Sequence, residues 1–200
     1  MGRVARITKE AIIEVAVELI RTEGHERLNV RALAERLGCS TQPILYHFAS
    51  MEEVRAAAYH AVDERHSAFL VAGLDTASEP LLQLGLNYVR FAYEEPRLFR
   101  FLFQTDAFGG QDLGALVAAP EVAALVGMVA REAGLDEAGA RSAFLTMFVC
   151  AHGYASLLAN NALPFDEGEA SRVLEASFLG ACDQAASAAS LQASHGRTEP

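Results

Sequence analysis

From Thr8 onward the apolar residues of this chain recur at spacings of three and four, and nowhere do they alternate with polar ones over a strand's length. A period of 3.6 residues buries one stripe of a helix, whereas a half-buried strand needs a period of two. No Asn-Gly or Asp-Gly hairpin turn occurs either. The chain is therefore expected to be all-α. With 200 residues, 52% hydrophobic and 21% charged, it has enough apolar material for a compact core and too much for general disorder.

Capping residues divide the chain. Thr8 is the expected N-cap of a first helix whose stripe is Ile12, Val15, Ala16, Leu19 and Ile20, with Gly24 just past its end. Asn29 caps a short second helix that turns Val30, Leu33, Ala34 and Leu37 inward and stops at Gly38. Cys39 and Ser40 make the turn, and a third helix covers about Thr41–His47. Pro43 falls in its first turn, where a missing N–H loses no intrahelical partner. Ser50-Met51-Glu52-Glu53 has the capping-box pattern, so a longer helix starts near Met51 and reaches about Gly73. Further helices are expected at about 80–94, 96–105, 120–133, 137–161 and 167–189, with Pro80, Pro96 and Pro120 just inside three of the starts. Asp106–Ala119, with Gly109, Gly110 and Gly114, is expected to be a mobile loop, and Ser190–Pro200 a frayed tail.

Two short helices joined by a glycine-containing turn form a helix-turn-helix over about residues 29–48. In such a unit the first helix braces while the N-terminal end of the second enters the major groove of DNA. Ser40, Thr41 and Gln42, with Pro43 setting the first turn, place short and amide side chains where base edges and phosphates lie. Tyr46 and His47, one turn on, can donate to backbone phosphates, and Arg31 is long enough for a phosphate or a guanine edge. Arg3, Arg6 and Lys9 are candidates for an arm along the backbone. Leu33, Leu37, Ile44 and Phe48 are expected in the core. Spacing alone also allows a plain three-helix scaffold, in which Tyr46 is a packing residue.

The charge distribution agrees with that end of the chain meeting a polyanion. Residues 1–60 hold eight basic and eight acidic residues, so the net charge of −10 lies wholly in residues 61–200. A polyanion is repelled by the C-terminal two thirds and meets a neutral N-terminal end.

These residues resemble a known family. Thr8–Gly24, Leu28–Gly38, Ser40–Phe48 and Ser50–Val54 are similar in register to the DNA-binding domain of the tetracycline-repressor (TetR) family. The run from Ile44 to Val54, with its aromatic-His-Phe sequence and capping box, is the most specific part. The family often carries a lysine soon after that run, where this chain has Met51. The resemblance covers about residues 5–66. Pro96–Phe103 together with Ala151-His152-Gly153 is similar to the C-terminal domain of one subgroup, which often shows Trp-His-Gly at the second place. It implies a ligand-binding and dimerisation domain over about 67–190, with the last two long helices packing on their copies.

From Ser142 to Phe165 no residue is charged, a length that could span a bilayer. Thr146, His152, Ser156, Asn160 and Asn161 interrupt it, and no basic anchor cluster flanks it. Its apolar residues fall all round the wheel, so it must be buried on two faces, the second against a partner subunit rather than lipid. The aromatics Tyr88, Phe91, Tyr93, Phe99, Phe101, Phe103 and Phe108 serve either as ordinary core or as one wall of an apolar cavity. With Met128, Phe144, Met147, Phe148 and His152 they make a candidate site for an apolar or aromatic effector. His152 is equally suited to a core histidine bonded to a carbonyl.

Other chemistry has little support. His60, Asp63 and Glu64 share a helix face but His66 falls well round the wheel, so a solvated surface is expected rather than a metal site. No Walker loop, nucleophile elbow or HExxH is present, and neither an enzyme nor a cofactor is expected. Cys39, Cys150 and Cys182 lack CxxC spacing and suit a reducing cytoplasm as small hydrophobes. The expectation is a homodimeric, ligand-responsive repressor of a palindromic operator. The alternative is a helical small-molecule carrier that binds no operator, in which replacing Thr41 and Gln42 would change nothing.

Overall fold

The computed structural model describes residues 7–105 and 120–195, so Arg3, Arg6, the Asp106–Ala119 stretch with Phe108, and residues 196–200 lie outside it. Among the described residues all regular structure is helical: α1 Lys9–Glu23, α2 Val30–Leu37, α3 Gln42–His47, α4 Met51–Val71, α5 Pro80–Glu94, α6 Pro96–Phe103, α7 Ala123–Ala133, α8 Glu137–Asn161 and α9 Glu167–His195. Short 3₁₀ turns at His25–Arg27 and Pro120–Val122 supplement them. The chain divides into two compact units, one running to Phe69 and resuming at Glu94, the other holding Leu70–Tyr93 and the residues from Pro120 on.

Local chemistry sets the helix ends of the first unit. Thr8 Oγ1 accepts from the Ala11 amide at 3.2 Å and starts α1. Asn29 Oδ1 accepts from both the Arg31 and Ala32 amides at 3.1 Å, satisfying two donors that the first turn of α2 leaves open. Gly38 ends α2 in the left-handed region at φ 62°, ψ 34°, and the Cys39 amide reaches back to the Ala34 carbonyl. A side chain at Gly38 would meet no neighbour, so backbone conformation alone calls for glycine. The capping box closes reciprocally, the Glu53 amide donating to Ser50 Oγ and the Ala49 amide to Glu53 Oε2.

The core of this unit is made by Ile12, Ala16, Leu19 and Ile20 of α1, Leu33 of α2, Ile44 of α3, Phe48, and Val54, Ala58 and Val62 of α4, all buried. Leu37, expected inside, is only half-buried. α6, which the sequence grouped with residues 67–190, packs on α1. Arg21 Nε bridges both oxygens of Glu95 at 2.9 and 3.0 Å just before it, and Phe101 faces the rings of His25 and Tyr59. One expectation is overturned. His60, Asp63 and Glu64 are exposed, but His66 is buried with its ring edge-on to Phe103, 5.2 Å between centroids. Val54, Ala58, Val62 and His66 recur every fourth residue, so His66 extends the buried stripe of α4.

In the second unit α8 packs against both α7 and α9. Leu81, Val126, Val129, Ala140, Ala143 and Ala181 form the buried cluster, with Met128, Phe144, Met147 and Cys182 partly buried around it. Alanines at 140, 143, 151, 155 and 159 let neighbouring helices approach α8 closely. Gly85 does the same for α5 and α9, since a Cβ there would lie 3.1 Å from Leu174 Cδ1. Buried Asn87 donates to the Leu70 and Ala72 carbonyls and accepts from Gln83 Nε2, tying the last turn of α4 to α5. The expected frayed tail is partly helix: α9 continues to His195, because the alanine-rich sequence from Ala181 to Ala193 contains no glycine or proline to end it.

Candidate nucleic-acid interface and effector site

α3 is the element on which the interface depends. Ile44 is fully buried and Phe48, its C-cap, nearly so. These anchors fix which face is left over. At 100° per residue the outward arc runs from Leu45 through Gln42 to Tyr46, and all three are exposed, Tyr46 at 79%. Ser40 is exposed, while Thr41 and Pro43 are half-buried. Thr41, the N-cap, uses no side-chain oxygen to cap the helix.

His47 is half-buried, and its Nε2 lies 3.0 Å from the Ile7 carbonyl, a geometry in which Nε2–H donates. It thereby ties the chain entering α1 to the end of α3. Tyr46 stands edge-on against it, 5.2 Å between centroids. Lys9 places its ammonium 5.0 Å above the Phe48 ring and so beside the same end of α3. The arginines of α1, α2 and the turn between them differ in how they are engaged. Arg21 pairs with Glu95 and Glu18, and Arg27 and Arg36 pair with Glu23, whose carboxyl the Arg36 hydrogen bond holds below the usual range. Arg31 is exposed and, like Lys9, forms no ion pair among the described residues. Cations engaged within the domain brace it; those outside such pairs are available to phosphate.

The residues expected around an effector do not all come together. Phe99 and Phe103 belong to the first unit and pack on each other, 5.0 Å between centroids. In the second unit Tyr88, Phe144, Phe148 and His152 form a continuous ring contact, Phe148 lying 6.2 Å from Tyr88 and 5.6 Å from His152. Phe91 is buried, and Met128 and Met147 line the core cluster. Tyr88 Oη meets His152 Nδ1 at 2.8 Å. Burial lowers the His152 pKa and raises that of Tyr88, so both are neutral near pH 7, with the phenol donating to Nδ1. One nitrogen of His152 is thus met by a hydroxyl. No group of three or more His, Cys, Asp or Glu residues able to hold a metal occurs among the described residues.

Sequence reasoning missed Leu45 and Asn87. Leu45 lies three residues after Gln42 and four after Thr41, which was signal enough to place it outward. Asn87 carried none, because its partners are carbonyls at the end of another helix.

Comparison with known proteins agrees with this geometry. Residues 12–58 match "Bacterial regulatory proteins, tetR family", and residues 81–179 match "Tetracyclin repressor-like, C-terminal domain". The chain is 28% identical over 159 residues to the HTH-type transcriptional regulator Rv0681 of Mycobacterium tuberculosis, covering 78% of this chain and 72% of that protein. It is 37% identical over 70 residues to the HTH-type transcriptional regulator TcmR of Streptomyces glaucescens, covering 35% of this chain and 30% of that one. An outward-facing second helix of a helix-turn-helix, inside the first of two successive matches to domains of one family, identifies the chain as a member of the tetracycline-repressor family: a DNA-binding transcriptional regulator and not an enzyme.

Proposed function

We propose that the protein is a cytoplasmic homodimer that represses transcription from a palindromic operator and is released by a small apolar or aromatic effector. One observation carries the DNA reading: burial of Ile44 and Phe48 leaves Gln42 and Tyr46 facing out from α3. In this reading α3 enters the major groove, with Ser40, Thr41, Gln42 and Pro43 at the base edges. Arg31, Lys9 and Tyr46 contact phosphates. His47 keeps its bond to Ile7 and sets the angle at which α1 leaves the duplex.

The dimer is supported by α8. Ser142, Thr146, Val149, Gly153, Leu157 and Asn160 form one exposed stripe without a charge, Val149 at 48% and Leu157 at 56% exposure. On α9, Ala176, Leu179 and Gly180 are exposed as well. α8 also has the length and hydropathy of a bilayer span, but its other face is buried in the core of the second unit. A second copy covers such a stripe isologously, and two copies of α3 then match a two-fold operator.

The effector contacts are proposed within the second unit, at Tyr88, Phe91, Phe144, Phe148 and His152. An effector releases DNA only to the extent that it binds the released conformation more tightly. Binding-site selection from random duplexes with the full chain, followed by sedimentation of the complex, tests the reading. Selection of palindromes bound two chains at a time is expected. A chain that remains single, or selects no duplex at low salt, refutes it.

A further inference from the structure

The outer face of α3 carries more apolar surface than phosphate binding uses. Leu45 is 55% exposed, on a helix of six residues whose inner face is complete without it. It neighbours Gln42 on the wheel, three positions on, and Thr41, four positions on. The major groove offers one apolar feature, the C5-methyl group of thymine, and a primary amide there pairs bidentately with adenine N6 and N7. Taking the DNA-binding reading above as its basis, we propose that Leu45 is a specificity-determining residue that packs on a thymine methyl, beside an adenine read by Gln42. Each operator half-site would then contain an adenine and a thymine on adjacent base pairs at the position that α3 reaches.

Replacing thymine by deoxyuridine removes the methyl and leaves every hydrogen-bonding group in place, so it isolates this contact. The probe is the palindromic duplex selected by the full chain, with deoxyuridine substituted singly at each thymine. For the unaltered protein one position in each half-site should weaken binding by about fourfold, the transfer value of one methyl group. Leu45→Ala should bind the thymine duplex several-fold more weakly and lose sensitivity at that position alone. Because Leu45 is exposed, the variant should melt with the parent protein by circular dichroism, which separates lost readout from lost fold. An undiminished deoxyuridine effect in Leu45→Ala, or no sensitive thymine in the unaltered protein, overturns the assignment while leaving DNA binding intact. Failure of the unaltered protein to select any duplex removes the basis as well.

Discussion

His66 gives the first unit a defined vulnerability to acid. The imidazole is buried against Phe103 and burial lowers its pKa from the usual 6.5 to about 4. The unfolded chain therefore binds a proton that the folded chain refuses between those two values, and stability must fall as pH falls. At about 1.4 kcal/mol per decade of acidity the whole gap is worth about 3 kcal/mol. Relative to pH 7, about 1 kcal/mol should be lost by pH 5.5 and about 2.5 kcal/mol by pH 4.5, with little further loss from this group below pH 4. His66→Gln keeps a polar side chain but has nothing to titrate. Urea unfolding followed by circular dichroism should give a destabilised variant at pH 7 whose deficit shrinks, or reverses, by pH 4.5. Carboxylates and His152 contribute equally to both proteins, so the difference between them isolates residue 66. Parallel stability-versus-pH curves for the two proteins would refute the argument, because they would show the ring protonating where it sits.

Further perturbations separate the brace from the contact. Ile44→Ala should cost about 2–5 kcal/mol in unfolding free energy and weaken DNA binding through the loss of α3. Gln42→Ala should stay within about 0.5 kcal/mol in stability yet lose at least about fivefold in operator affinity by gel shift. Arg31→Ala should flatten the salt dependence of operator binding by about 0.9 per phosphate, hence about 1.8 in log–log slope for two copies. Val149→Asp with Leu157→Asp should yield a folded single chain by sedimentation, with palindrome binding lost alongside the dimer. Tyr88→Phe removes the hydroxyl that faces His152 Nδ1 and should cost about 1–3 kcal/mol by thermal or chemical melting.

What the sequence disclosed was local. Thr8, Asn29 and Ser50 act on amides two or three residues away, so side chain and target lie in the same few letters. The helix-turn-helix was legible for the same reason, whereas Tyr46 suited packing and contact equally until the burial of Ile44 and Phe48 turned it outward. The packing of α6 on α1 was not legible because its partners are remote: Glu95 finds Arg21 and Phe101 finds Tyr59 across long stretches of chain. His66 was legible in principle, since the four-residue rhythm of Val54, Ala58 and Val62 runs straight into it. Chemical type obscured the rhythm: a histidine near two carboxylates reads as polar before it reads as the next buried position.

α8 shows why its inner face could not be assigned in advance. Most helices state their orientation by polarity, since one stripe is apolar and the other charged. Here Ala143, Ala151, Ala155 and Leu158 are buried while Ser142, Val149, Gly153 and Leu157 are exposed, so each set holds both small and large residues. Over residues 142–160 neither face carries a charge to mark it as the outer one. Buried alanines let α7 and α9 come close, while Val149 and Leu157 remain exposed among the described residues. Leu and Val left in water on a stripe without a charge are unfavourable for a solitary chain, at about 25 cal/mol for each Å² uncovered. Such a face is consistent with a chain selected in its paired form, and charging it at residues 149 and 157 should therefore raise the solubility of the single chain while abolishing its hold on a two-fold operator.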